Sequence, residues 1–570
     1  MSGPRANIVV IFSDQQRADT LGCYGQPLPV TPNLDTMAKE GVRFSHAFTP
    51  QPVCGPGRAC IQTGLYATQT GCFRNNIALP TSIDTLATWL SAGGYEVGYI
   101  GKWHLASTGG SSAAPLEMPV NFRESAVPPE RRGGYVDYWL AADALEYTST
   151  GLDGGFMFDK DMNKVEFTGY RVDSQTDLVL DYLQSRDGTR PFFLFVSYLE
   201  PHHQNDRFRF EGPPGSKERW KDFHVPGDLV DTRGDWRESY PDYLGACNSI
   251  DQNLARIRDL LQQKGLDENT TIIYTTDHGC HFRTRNGEYK RSCHDASTRI
   301  PLDIHGPGFT GGVVVDGLVS LIDVAPTVLR IAGLPVPGTL QGRPLQDLVA
   351  GTAPDWPDDV FIQVSESHVG RALRTARWKY EIVAPGKNGS YHPSSMLYIE
   401  DCLYDLDHDP HERRNLVLDP AHAGTRAMLR ERLVARMEQA GERIPRIVQA
   451  GRLIDDRDVN VSGHLHVAAD GTVLMGVAPS MDINACPVDV PLGEILGEHA
   501  GERIELDVNG IVTTGVLQEG DEGWTFTQDG SPETEPLART FGAVVGKMVS
   551  LCLLRPVRPG TVASLLVVPS

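Results

Sequence analysis

The sequence predicts an α/β protein built on a large, mostly parallel central sheet, followed by a smaller α+β subdomain and a β-rich appendage. Three observations carry that expectation. The apolar runs Asn7–Phe12 and Pro191–Tyr198 are continuous rather than alternating, the pattern of strands buried on both faces. Helical patterns separate such runs, as parallel pairing requires of its crossovers. After residue 446 the chain turns to Val, Gly, Thr and acidic residues in short alternating stretches.

Taken in order, Asn7–Phe12 reads as the first strand and Pro32–Gly41 as a short helix, capped by Thr31 and closed by Gly41. Thr81–Ser91 reads as a helix running into Gly93-Gly94, ahead of the strand Glu96–Ile100. Residues 107–135, rich in Ser, Gly and Pro, read as an irregular insertion. Pro191–Tyr198 and Thr271–Thr276 are strands. Between them Leu244, Ile250, Leu254, Ile257 and Leu261 mark an amphipathic helix over Tyr243–Gly265. Residues 1–355 are expected to form the main α/β domain. Residues 356–445 form the α+β subdomain, with strands Phe361–Ser365 and Trp378–Val383 and a helix Ala423–Ala440. Residues 446–570 form the appendage, with strands Arg503–Val508, Val512–Leu517, Trp524–Thr527 and Ala563–Val568. In open parallel sheets, functional groups collect beyond the carboxyl ends of the strands. Ser13-Asp14-Gln15, Glu200–Asn205 and Asp277-His278-Gly279 all fall there.

Composition narrows the functional classes. With 40% hydrophobic and 22% charged residues the 570-residue chain is globular rather than disordered. No run of eighteen apolar residues is present, so no membrane association is expected. The run Ile8–Phe12 reads as a buried strand rather than a secretory signal, which places the expected compartment in the cytoplasm. Lys and Arg number 52 against 73 Asp and Glu, a net charge of −21 that repels phosphate backbones and argues against a nucleic-acid partner. An anion site on such a chain must be local and strongly basic. Ten cysteines without close regular spacing indicate neither a disulfide nor a zinc framework.

One cysteine differs. Cys54-Gly55-Pro56-Gly57-Arg58 is followed by Thr63-Gly64, then by Gly101-Lys102-Trp103-His104-Leu105, Pro201-His202, Asp277-His278-Gly279 and Lys290 running to Arg299-Ile300-Pro301. Arg374-Thr375-Ala376-Arg377-Trp378-Lys379-Tyr380 and Leu403-Tyr404-Asp405-Leu406 come later. In identity and order these blocks, spanning about residues 7 to 420, resemble the sulfatase family. In that family the motif cysteine is oxidised to Cα-formylglycine and hydrated to a geminal diol. The resemblance implies an alkaline-phosphatase-like sandwich and the hydrolysis of a sulfate monoester.

Sulfate esters are stable anions with a poor leaving alkoxide, so the site must hold the anion, supply a nucleophile and protonate the leaving oxygen. A divalent metal lowers the pKa of the nucleophilic hydroxyl and neutralises the sulfuryl oxygens. The resemblance implies a metal cage of Asp14, Gln15, Asp277 and His278, with Cys54, as formylglycine, a further ligand; mostly oxygen ligands suit Ca²⁺ first and Mn²⁺ second. It also implies that Cys54, as the diol, attacks sulfur, that Arg58 supports the diol, and that Lys102 and Lys290 neutralise the sulfate as point charges. His104 takes the diol proton in the release step, and His202 protonates or hydrogen-bonds the leaving oxygen. Asn75, with Asn76 as its rival, is the candidate for the family's asparagine on the metal or sulfate side. His203 and Asn205 are candidates for reading substrate hydroxyls, as is His294 for reaching the substrate. Glu366 and His368 are placed to lean over the pocket. Asp295 and Arg299 read as a structural ion pair.

Gln15 and His278 depart from the commoner Asp-Asp and Asp-Asn pattern and resemble the branch with choline sulfatases and phosphonate monoester hydrolases. The leading expectation is therefore a sulfatase acting on a small alcohol or carbohydrate sulfate. A phosphonate monoester or phosphodiester hydrolase using the same site is the alternative, and a non-enzymatic binder of sulfated ligands comes last. A formylglycine-generating enzyme is the implied maturation partner. For residues 446–570, homo-oligomer formation, pocket closure and substrate binding fit equally.

Overall fold

The computed structural model describes residues 5–108 and 121–450, and beyond them the strands within 461–554. These fall into two compact units. One is drawn from Met1–Arg377, Gly389–Ser394 and Ala435–Glu442, the other from Trp378–Asn388, Ser395–Val434 and Arg443–Ser570.

The first unit contains strands β1 (Asn7–Ser13), β2 (Val42–Phe48), β3 (Glu96–Lys102), β4 (Tyr138–Ala142), β5 (Phe192–Ser197), β6 (Thr270–Thr276), β7 (Leu302–His305) and β8 (Val313–Ser320). Its principal helices are α1 (Pro32–Glu40), α2 (Cys54–Thr63), α3 (Leu86–Ala92), α4 (Arg171–Gln184) and α5 (Trp236–Gln263). Strands β4, β3, β5, β1 and β6 lie side by side and all parallel. Around this parallel centre the twelve-stranded sheet is mixed: β7 runs antiparallel to both β6 and β2, while β8 is parallel to β2.

The first strand is buried on both faces, as its unbroken apolar run requires. Ile8, Val10 and Phe12 belong to a core with Leu86 and Leu90 of α3, whereas Val9 and Ile11 belong to a second core with Ile250, Leu254 and Ile257 of α5. Each such side chain contributes about 1.5–3 kcal/mol relative to exposure.

Three local expectations need correction. Thr31 sits at the start of α1 but its side chain caps nothing; the Asp251 carboxylate accepts the Asn33 and Leu34 amides instead. Helix α3 begins at Leu86 rather than Thr81, because Thr85 and Thr88 form a reciprocal capping box. Helix α5 begins at Trp236 and runs through Pro241. That proline hides the first turns from a pattern reading, since proline ordinarily ends a helix.

In the second unit Trp378–Val383 pairs antiparallel with Leu397–Asp405, which pairs in parallel with Arg446–Val448. An eight-stranded antiparallel sheet follows, in the order Val488–Pro491, Val473–Val477, Val461–Val467, Met548–Leu554, Arg503–Val508, Ile511–Gly520, Gly523–Gln528, Glu535–Pro536. The expected strand Ala563–Val568 lies outside the described residues. Among the described residues no helix is long and apolar enough to cross a membrane.

Candidate active site

Cys54 opens helix α2, with Val53 as its extended N-cap. A valine cannot accept the free amides of the first turn. The Gly55 amide donates instead to Asn75 Oδ1 at 2.9 Å, and Pro56 has no amide to satisfy. Gly57 is required by proximity: a Cβ there would lie 3.0 Å from the Asp277 carbonyl oxygen. The helix closes on Gly64 in the left-handed conformation. Cys54 and Arg58, one turn apart, thus point from the positive end of the helix toward the ends of β1 and β6.

The other groups arrive on strand ends. Asp14 and Gln15 follow β1, and Gln15 takes a left-handed φ of 67°. His104, two residues beyond β3, does the same at 59°. For non-glycine residues such conformations carry strain, and strained residues cluster at functional sites. Position 101, just before His104, is glycine because a Cβ there would stand 2.0 Å from the Ser197 carbonyl oxygen. Asp277 and His278 follow β6.

These residues form one buried network. Arg58 donates to Asp14 Oδ2 at 2.9 Å and to Ser197 Oγ, and its Nε lies 3.5 Å from Asp277 Oδ2. Lys102 Nζ stands 2.9 Å from Asp14 Oδ2 and 3.4 Å from Glu146 Oε2. Lys290 Nζ is 2.8 Å from Cys54 Sγ, 3.0 Å from His202 Nε2 and 3.2 Å from Gln15 Oε1. His202 Nδ1 lies 2.6 Å from the His203 carbonyl, which can only accept, so Nδ1 carries the proton and neutral Nε2 presents its lone pair to Lys290. The His203 ring stacks on His202 at 4.3 Å and meets Tyr289 at the same distance on its other side.

Electrostatics follow from this geometry. Burial would raise the Cys54 thiol, but Lys290 and Lys102, with a hydrogen bond from His104, hold it well below the ordinary thiol range. Burial likewise opposes ionisation of Asp14, yet Lys102, His202 and Arg58 keep it far below the usual carboxylate range. Asp277 is pushed up to about 6, first by burial and then by the Asp14 charge.

The donor set fits a cation. One oxygen or nitrogen from each of Asp14, Asp277 and His278, with Cys54 Sγ, lie within 4.8 Å of one another, all buried. His278 Nδ1 faces the Gly279 carbonyl at 3.0 Å and must donate there. Nε2 therefore turns its lone pair toward Cys54 Sγ at 3.3 Å, with Asp277 Oδ1 at 3.6 Å. Asp277 Oδ2 is buried without a hydrogen-bond partner, and the two adjacent carboxylates repel each other. A divalent ion answers both. Cys54 Sγ here stands where the resemblance puts the hydroxyls of the hydrated formylglycine.

Of the residues singled out from sequence, Asp14, Gln15, Cys54, Arg58, Lys102, His104, His202, Asp277, His278 and Lys290 converge. Asn75 joins by capping the Cys54 helix and His203 by stacking on His202. Asn205 begins a 3₁₀ turn, and the His294 carbonyl accepts the Ser297 and Thr298 amides. Glu366 binds the Asn75 amide and pairs with Arg291. Asp295 pairs with Arg374 at 3.1 Å, and Arg299 donates to the Ser45 carbonyl, so these two do not form the expected pair. Sequence reasoning missed Glu146 and Asp143. The Asp143 carboxylate accepts the Ala106 and Ser107 amides, and its carbonyl accepts that of His104. Both stand just past the carboxyl end of β4, the position that identified the other groups.

Known proteins resemble this chain over most of its length. The family model described as Sulfatase matches residues 6–334, and that of the N-sulphoglucosamine sulphohydrolase C-terminal region matches 287–439. An ulvan-active sulfatase of Formosa agariphila is 28% identical over 463 residues, covering 77% of this chain and 82% of that protein. The sulfatase YidJ of Escherichia coli is 30% identical over 475 residues, covering 76% and 88% respectively. A sulfatase structure from Bacteroides fragilis shares the fold with a TM-score of 0.65 at 24% identity, covering 78% of this chain and 98% of that one.

Proposed function

The chain belongs to the sulfatase family and is a sulfuric ester hydrolase, and from that premise we propose that it acts on the sulfate monoester of a small alcohol or carbohydrate through the Cys54 site. The observation that carries the proposal is the convergence of Lys290, Lys102 and His104 on a fully buried Cys54, which favours a negative charge there against burial.

When present, the divalent ion would neutralise sulfuryl oxygens and lower the pKa of the attacking hydroxyl, and formylglycine at position 54 would supply a geminal diol in place of the thiol. Asp14, Gln15, Asp277 and His278 are the residues to hold the ion. Lys102 and Lys290 bind the anionic ester as point charges. Arg58 ties Asp14 to the nucleophile's helix. His104 donates to the Cys54 sulfur, and with a diol hydroxyl in its place the neutral ring is the group to accept that hydroxyl's proton. His202 Nε2 is fed by Lys290 and faces the same space, so a proton held between them serves the leaving oxygen.

The carbohydrate reading draws support from the matched region named for an N-sulphoglucosamine sulphohydrolase and from His203 beside His202. The test is kcat/KM of the oxidised, metal-loaded enzyme on sulfated monosaccharides and choline sulfate, with an aryl sulfate and a matched phosphodiester alongside. Preference for a carbohydrate or small-alcohol sulfate supports the proposal. Turnover of the aryl ester alone, or a preference for the phosphodiester, overturns it.

A further inference from the structure

Glu146 has no part in the mechanism above, yet its carboxylate is buried inside the anion site. It lies in a short turn after β4, where its carbonyl accepts Gln204 Nε2 at 2.9 Å, and Gln204 is in turn held by Arg171. The backbone at Glu146 is therefore fixed. Its Oε2 reaches to 3.4 Å from Lys102 Nζ, and neither atom makes an aligned hydrogen bond in the described structure. Despite burial, Lys102 and then His104 and His202 draw this carboxyl down to about 2, so it is ionised throughout the working range.

An ionised carboxylate is an unexpected neighbour for a sulfate. Lys102 already has Asp14 at 2.9 Å as counter-charge, and burying a second carboxylate carries a desolvation cost. It has an effect nonetheless. Lys102 and Lys290 together present two buried positive charges to the sulfate, and inorganic sulfate, the product, keeps the charges they bind. A site that held it with the full strength of both would release it slowly.

Resting on the sulfatase reading, we propose that Glu146 is a positioning residue for sulfate-ester hydrolysis. It shares the Lys102 ammonium with Asp14 and so sets how tightly the site holds sulfate. The carboxylate acts through Lys102 and touches no reacting atom.

The test is calorimetric titration of inorganic sulfate into the oxidised, metal-loaded enzyme, with steady-state kinetics and unfolding temperatures in parallel. Glu146→Gln is expected to bind sulfate roughly tenfold more tightly, as relieving the Lys102 ammonium of one of its two counter-charges predicts. Its kcat and KM should fall together, the signature of a ground state held too well, with the unfolding temperature unchanged. Glu146→Asp, which keeps the charge, should stay within about threefold of the parent in sulfate affinity. In a Lys102→Met background the Glu146→Gln change should raise sulfate affinity by clearly less than it does with Lys102 present. Unchanged or weaker sulfate binding in Glu146→Gln overturns the inference, as does an undiminished effect without Lys102. Sulfate binding is read without turnover, so a wild-type enzyme that binds sulfate but hydrolyses no sulfate ester would count against the sulfatase reading alone.

Discussion

Helix α2 carries two very different cysteines. Cys54 and Cys60 are six residues apart on the same helix, and both are buried. At Cys60 burial acts with a nearby Cys72 thiol, and the group is driven far above the ordinary thiol range; Cys72 itself is pushed up to about 12. At Cys54 burial acts in the same direction and loses to Lys290 and Lys102. Desolvation alone makes an inert thiol, and a ring of cations makes a site for an anionic nucleophile. The difference lies in what the neighbouring strand ends bring to each turn.

The largest way to break this contrast is to remove a cation. Lys290→Ala should lower kcat/KM on a sulfate ester by roughly 10²–10³-fold, the usual cost of one charge-stabilising donor. In unoxidised protein the same change should move formation of the Cys54 thiolate to higher pH, followed by ultraviolet thiolate absorbance against a Cys54→Ala control.

A second test uses the carboxylates that face Cys54 but are absent from the Cys60 end. Asp277 is raised to about 6, so below that pH a proton competes with the cation for its oxygens. Divalent-ion affinity should be flat above pH 7 and fall by roughly tenfold for each pH unit below the Asp277 pKa. Titration calorimetry from neutral to mildly acid pH reads this directly, and Asp277→Asn should flatten the slope while weakening binding.

Smaller effects sharpen the contrast structurally. Gly57→Ala would push a methyl to 3.0 Å from the Asp277 carbonyl oxygen. It should cost about 1–3 kcal/mol, seen as a lower unfolding midpoint, with turnover reduced as Asp277 shifts. Cys60→Ala should cost about 1 kcal/mol and leave kcat/KM within about twofold, because that thiol only fills space.

Much of this was legible in the sequence. Unbroken apolar runs located β1, β5 and β6 because strands buried on both faces leave no room for alternation. The residues just past them, Asp14, His202 and Asp277, were therefore placeable without coordinates. The C-x-P-x-R block gave Cys54 and Arg58. What escaped notice depends on partners distant in sequence. The cap on α1 comes from Asp251 on α5, the start of α5 is masked by Pro241, and Asn75 accepts the Gly55 amide from twenty residues away. Glu146 was within reach of the strand-end rule, but β4 is short and leads into a turn that carries no motif.

The central claim is that the cations around Cys54 serve a nucleophile made from that side chain. The most direct test weighs the tryptic peptide Phe44–Arg58 and measures sulfate release on the same preparations, matured to different extents. Formylglycine makes that peptide about 18 Da lighter than the thiol form. The account predicts that sulfate-ester turnover rises in proportion to the lighter peptide and vanishes in Cys54→Ala. Full turnover by a preparation holding only the unmodified peptide would contradict it.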